Sequence, residues 1–258
     1  MQPTRATRAA FASVPSFRSI CGRAADIAAR IRGAALLALL AVGGGCAGTT
    51  PVPPGEPTPP VTQLRVAPDA ARDLVSYREL GREDFLASQP PAGADRARGH
   101  VAAATCAYLI PSPEMRFRAV RKPRETLFTA EVVGLSFSAR MDRQCSWWDT
   151  QNRFRPDDYV LEHEQIHFAL IELEARALNQ QRDAIAARVR STGETGEAAL
   201  AEIQRKFKLE LEAGAKRAAE RTRQLDAETS LGFEPEAQAA WAERIRQELD
   251  ESQPAASQ

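Results

Sequence analysis

The sequence predicts an α+β protein in which a small antiparallel sheet packs on a long antiparallel helical hairpin, with one more helix at the C-terminal end. Three observations predict it. Val101 to Ile110, Met115 to Val120 and Thr126 to Ser138 are short runs rich in Val, Phe, Leu and Thr, punctuated by Pro111, Pro113 and Pro123, as strands are. Beyond Pro156 the composition changes to Ala, Glu, Arg, Leu and Gln, and apolar residues recur at helical spacing. Between two such periodic stretches lies Ser191-Thr192-Gly193-Glu194-Thr195-Gly196, a short polar break of the kind that joins antiparallel helices.

The elements follow in chain order. Residues 1–32 carry six arginines and one acid, and Ala34 to Val42 then run without a polar side chain. This is the layout of an export signal, and nine apolar residues are too few for a membrane-spanning helix, which needs about twenty. Residues 1–45 are therefore expected to be removed. Gly43-Gly44-Gly45-Cys46 resembles the lipobox of bacterial lipoproteins, so Cys46 is expected to carry lipid and hold the protein to a membrane. The rival is ordinary cleavage between Ala41 and Ala47 beside an incidental cysteine. Residues 46–63 hold a proline-rich stretch read as a tether, residues 64–251 as one domain (64–155 strand-bearing, 156–251 helical), and residues 252–258 as a disordered tail. The expected location is the periplasmic side of a bacterial membrane, on an outer-membrane lipoprotein.

Thirty-four Lys and Arg balance thirty-four Asp and Glu, so no basic excess points to nucleic acid. Once residues 1–45 are gone, 28 bases face 33 acids, an ordinary balance for a soluble exported domain. Of the four cysteines, only Cys106 and Cys145 fall in the domain. An exported location makes a disulfide between them the expectation, with two reduced buried thiols as the alternative. The paired Trp147 and Trp148 read as packing residues. In the helical part, Pro156-Asp157-Asp158 starts a helix expected to reach about Arg190. A second runs from about Glu197 to Ser230 with Leu200, Ile203, Phe207, Leu211, Ala218 and Leu225 on one stripe, and a third from Pro235 to Leu249.

The chemistry is concentrated in Leu161-Glu162-His163-Glu164-Gln165-Ile166-His167-Phe168. On a helix, residues four apart share a face, so His163 and His167 can direct their imidazoles at one ion while Glu164 sits on the adjoining face. In this HExxH arrangement two neutral imidazoles bind Zn²⁺ and the carboxylate acts as general base on a metal-activated water that attacks an amide. Chance gives the pattern in roughly three of a thousand chains of this composition, so a structural pair of helix histidines without a metal is the stronger rival. A catalytic zinc takes three protein ligands. If the hairpin turns between Glu194 and Thr195, residue 163 lies level with residue 226, which is aspartate. Asp226 is thus the first candidate for third ligand, with a solvated acid near a helix end as its rival reading. Glu228 faces away from Asp226 and is the second candidate. Glu172 and Glu174 lie too far along the first helix, and His100, on a Gly-flanked loop, remains possible from a distance in sequence.

Leu161 to Leu178, LEHEQIHFALIELEARAL, resembles the characteristic helix of a bacterial family of secreted zinc-dependent proteases, mostly known as a domain of unknown function, whose members read L-x-x-HEQGHFDIAEIYAR. The likeness extends to Asp84-Phe85 with Pro90, to Ala104-Thr105, to the stretch Leu225 to Gly232, and to Gln238 with Trp241, covering about residues 77 to 245. Ile166, Leu225 and Leu231 stand where the family has glycine, tyrosine and histidine. The resemblance implies a zinc peptidase acting on a peptide or protein, with Asp226 or Glu228 serving where that histidine is missing. The competing expectation is a non-catalytic envelope lipoprotein that binds a partner through its charged helices, its HExxH site degenerate.

Overall fold

Alternating burial along the middle of the chain and three- and four-residue spacing beyond it sort the protein into strands on one side and helices on the other. The computed structural model describes residues 73–91, 101–152 and 155–253, with backbone alone for 61–65. The expected signal segment, Cys46 and His100 lie outside the described residues, as do tether residues 46–60 and tail residues 254–258. The strands are β1 (Val61–Arg65), β2 (Leu74–Ser76), β3 (Ala103–Ala104), β4 (Ala107–Pro111), β5 (Arg116–Val120), β6 (Phe128–Val133), β7 (Phe137–Asp142), β8 (Trp147–Trp148) and β9 (Ser191–Gly193). The helices are α1 (Asp157–Gln180), α2 (Arg182–Val189), α3 (Gly196–Glu228) and α4 (Pro235–Glu251). The α+β class holds.

The strand part departs from the expectation of one sheet. Three small sheets form, of order β1-β5-β6-β9, β2-β7-β4 and β3-β8, with every named pair antiparallel. The run read as one strand from Thr126 to Ser138 is two, because Gly134 takes φ +69° and turns the chain between β6 and β7 into different sheets. Val61 to Gln63, assigned to the tether, pair with β5. Their β-branched and extended-chain residues continue a ladder that β5 leaves open on that side.

The helical part departs at the turn of the hairpin. The first helix does not run to Arg190; it stops at Gln180, and α2 follows after Gln181, whose N–H bonds to Leu178 O at 3.1 Å. The polar break then forms β9, with Ser191 opposite Ala130 and the Ser191 hydroxyl donating to Ala199 O at 2.7 Å. Thr195 caps α3, its hydroxyl oxygen accepting from Ala198 N. A strand thus sews the hairpin's closed end to the larger sheet.

Burial follows the predicted stripe. Leu200, Ile203, Phe207, Ala218 and Leu225 are buried, and Leu211 packs beside them. Phe207 meets Phe117 edge-on at 5.5 Å and stacks on Phe137 at 6.1 Å, joining α3 to the sheets. A second cluster gathers Leu80, Phe85, Trp148 and Phe168 between the smaller sheets and α1. Trp148 is a packing residue, in edge contact with Phe85. A third, purely helical cluster of Ile166, Leu170, Leu173, Leu225, Trp241 and Ile245 locks α1, α3 and α4 together. Among the described residues no helix is long and apolar enough to cross a membrane.

Cys106 and Cys145 are joined by a disulfide, with Cα atoms 5.7 Å apart. It closes a loop spanning 39 positions that contains β4 to β7. Constraining that loop in the unfolded chain is worth roughly 3 to 4 kcal/mol. Replacing both cysteines with alanine should lower the unfolding free energy by about that amount in urea titrations without loss of far-ultraviolet dichroism; an unchanged midpoint would remove the bond from the account of stability.

Candidate metal centre

The HExxH stretch occupies the second and third turns of α1, and each of its five residues is committed by its place on the helix. Ile166 enters the helical core at 3% exposure. The amide of Gln165 holds the segment before the 3₁₀ turn Arg82–Asp84: its Oε1 accepts from Leu80 N at 2.8 Å and its Nε2 donates to Arg78 O at 3.2 Å. Those contacts fix the rotation of α1, and His163 and His167 then face α3.

There His163 and His167 present their rings edge to face, with centroids 4.8 Å apart and planes at 82°. Their Nε2 atoms approach to 3.2 Å. Asp226, in the last turns of α3, brings Oδ1 to 3.2 Å from His167 Nε2 and 3.6 Å from His163 Nε2. Three donor atoms from two helices therefore make a nearly equilateral triangle. Ligands held tetrahedrally at 2.0 to 2.1 Å from a zinc ion lie about 3.3 Å from one another, so the triangle has the size of one face of such a tetrahedron. The set of two imidazoles and one carboxylate is also one that zinc accepts at a catalytic site, with a fourth position left open. Among the described residues these are the ones grouped to hold a metal ion.

Electrostatics point the same way. Without a cation, three electron-pair donors at this spacing repel unless a proton lies among them. Burial works against protonation of His167, but the Asp226 carboxylate beside it prevails and raises its pKa to about 8. Burial would raise the pKa of Asp226, yet the charge of His167 beside it holds it well below the usual carboxylate range. Glu164 is 5% exposed, and its buried Oε2 has no hydrogen-bond partner among the described residues. It is close enough to add to the field that holds the proton on His167. An unpaired buried carboxylate oxygen costs several kcal/mol, and such an atom calls for a role.

The turn that follows Asp226 is unusual. Ser230, Leu231 and Gly232 have φ of +49°, +60° and +78° in succession. Arg155, just before α1, donates from Nη1 to Leu231 O at 2.7 Å and Gly232 O at 3.1 Å, and Leu231 N donates back to Asp226 O at 2.8 Å. The histidine helix thereby grips the end of the aspartate helix. Left-handed backbone at non-glycine residues costs about 1 to 3 kcal/mol each and persists where its surroundings impose it.

The candidates resolve as follows. His163, Glu164, His167 and Asp226 come together. Glu228, the second candidate for third ligand, does not: two residues beyond Asp226 it faces α4, where Oε2 accepts from Trp241 Nε1 at 2.8 Å and Oε1 from Gln224 Nε2 at 2.7 Å. Glu172 and Glu174 pair instead with Arg176 and Arg217. Leu231, where the resembling family has histidine, lies in the left-handed turn. Sequence reading assigned no role to Gln238, which is fully buried with Oε1 3.2 Å from His163 Nδ1. The signal was its position: Gln238, Trp241 and Ile245 form the inward stripe of α4, and a polar residue on such a stripe needs a buried partner. Comparisons with protein-family models, with curated proteins and with solved structures found no match to this chain.

A raised His167 pKa means the folded protein holds the proton more tightly than the unfolded chain. The stabilisation is present in full below about pH 6.5 and is lost as pH rises through about 8. In urea unfolding, the metal-free protein should therefore lose roughly 2 kcal/mol between pH 6 and pH 9, and Asp226→Asn should flatten that slope. A metal-free stability that rises over the same interval would contradict the His167–Asp226 pairing.

Gly232 has positive φ, and a Cβ there would lie 2.8 Å from Arg155 Nη1. Gly232→Ala should cost about 1 to 3 kcal/mol in the same assay, whereas Glu228→Ala, distant from the donors, should leave zinc affinity within twofold of wild type. Calorimetric zinc titration of both variants checks the contrast.

Proposed function

We propose that this protein is a zinc-dependent hydrolase of peptide bonds, exported and held to a bacterial membrane by a lipid on Cys46. The observation that carries the reading is the buried, unpartnered carboxylate oxygen of Glu164 beside three donors spaced as one face of a zinc tetrahedron. A metal-free pair of histidines ion-paired with Asp226 leaves the orphaned Glu164 oxygen without a role. The likeness of Leu161 to Leu178 to the helix of the secreted zinc-dependent proteases adds support to the choice of zinc and of a peptide substrate.

His163, His167 and Asp226 would hold the ion. Bound there, zinc would supply Lewis acidity to activate a water and polarise a carbonyl. The chain's own groups do the rest. Glu164, with an oxygen that no other protein group engages, accepts the proton of the attacking water and can return it to the departing amine. Its burial keeps that carboxylate away from bulk water. Asp226, the one negative group of the three, would leave a bound divalent ion with net positive charge. The core of Ile166, Leu225 and Trp241 behind the histidines keeps the cluster rigid, so that no ordering is required when substrate arrives.

The test is digestion of a peptide library by the purified protein with and without a chelator. Hydrolysis should vanish with the chelator and return with zinc. Glu164→Gln should retain one zinc per chain by metal analysis while the rate falls roughly 10² to 10⁴-fold. Zinc bound with no turnover on any peptide would favour the partner-binding lipoprotein, and absence of stoichiometric zinc would end the hydrolase reading.

A further inference from the structure

We infer that Gln238, in the first turn of α4, is a positioning residue that decides which nitrogen of His163 is free to bind a metal; in this the inference rests on the zinc reading above. Gln238 is 0% exposed, so every polar atom of its amide must be placed. Its Nε2 donates to Tyr159 O at 2.9 Å and to Glu162 Oε2 at 3.0 Å. A backbone carbonyl and a carboxylate can only accept. Rotating the amide by half a turn would set Oε1 against both of them, so its orientation is fixed by chemistry, and Oε1 must face His163 Nδ1 at 3.2 Å.

An amide oxygen accepts and cannot donate. His163 must therefore carry its proton on Nδ1, and since a neutral imidazole has one N–H, its Nε2 presents a bare lone pair. That is the atom 3.2 Å from His167 Nε2 and 3.6 Å from Asp226 Oδ1. Gly232 lies against this pair: a Cβ on it would come to 3.4 Å from both Gln238 Oε1 and His163 Nδ1.

The choice of glutamine also has a charge argument. A carboxylate at position 238 would orient the ring equally well, but it would lie against Glu162 Oε2 and Tyr159 O with nothing to donate. Glutamine is the residue that accepts from the histidine and donates to both oxygens. Through Gln238, α4 becomes part of the metal centre although it contributes no ligand.

Long-range ¹H–¹⁵N spectra of the intact, metal-free protein labelled at histidine nitrogen read the tautomer directly. The neutral ring of His163 should be protonated at Nδ1. Gln238→Met, of similar length, should remove that preference and weaken zinc binding 10- to 100-fold in competition with a chromophoric chelator. Wild-type His163 protonated at Nε2 overturns the inference, and so does a Gln238→Met variant with unchanged tautomer and affinity. Should Gln238→Met fail to fold, the wild-type spectrum still decides. An Nδ1-protonated His163 in a protein that takes up no zinc upholds the role of Gln238 and sinks the zinc reading alone.

Discussion

Two helices bring two imidazole nitrogens and a carboxylate oxygen to within 3.2 to 3.6 Å of one another, and the rest of the helical part is arranged to hold them there. Electron-pair donors at that spacing repel unless a cation or a proton lies among them. The surroundings oppose the repulsion at every side. The Ile166, Leu225, Trp241 and Ile245 cluster binds α1, α3 and α4 directly behind the rings. Arg155 ties the start of α1 to the turn that ends α3, and Gln165 fixes the rotation of α1 against the strand-bearing part. A site pre-formed in this way does not need to pay for order when a ligand arrives.

The strand-bearing part supplies rigidity. Asp84, fully buried, accepts from both terminal nitrogens of Arg78 at 2.9 and 2.6 Å and from Gly81 N at 3.0 Å, with Arg143 Nε at 3.3 Å. Burial pushes its pKa up, but these cations and the backbone bond hold it below the ordinary carboxylate value. The segment so anchored carries Arg78 O and Leu80 N, the two groups that Gln165 grips. Tyr77 meets Phe168 edge-on at 5.1 Å one residue beyond the second histidine. An ion-pair knot in one half of the protein thus steadies the helix face that carries the donor cluster in the other.

Much of this was legible in the sequence, and for identifiable reasons. The inward stripe of α3 is a period of three and four in Leu200, Ile203, Phe207, Ala218 and Leu225, and burial alone writes such a period. Pairing residue 163 with 226 needed only the rise of a helix and a symmetric turn. It survived although the first arm breaks into α1, α2 and β9, because that arm still runs beside α3: Glu174 pairs with Arg217 and Arg188 with Glu210. Hidden were features set by partners far apart in sequence. Whether 126–138 is one strand or two depends on Gly134 adopting positive φ, and β9 exists because β6 has an open edge. Glu228 and Asp226 are the same kind of acid two residues apart; register ranked Asp226 first, and the hydrogen bond to Trp241 on α4 is what occupies Glu228. The departures from the resembling family also make sense here: Ile166 and Leu225 fill the helical core, while Leu231 occupies a turn pointed at Arg155.

The most direct measurement of the central claim is X-ray absorption at the zinc edge of the intact protein loaded with one equivalent of zinc, alongside the same spectrum for Asp226→Ala. The account predicts two imidazole nitrogens and light oxygen ligands at about 2.0 to 2.1 Å in the first shell, with an altered first shell in the variant. A spectrum with fewer than two imidazoles, or one that Asp226→Ala leaves unchanged, would contradict it.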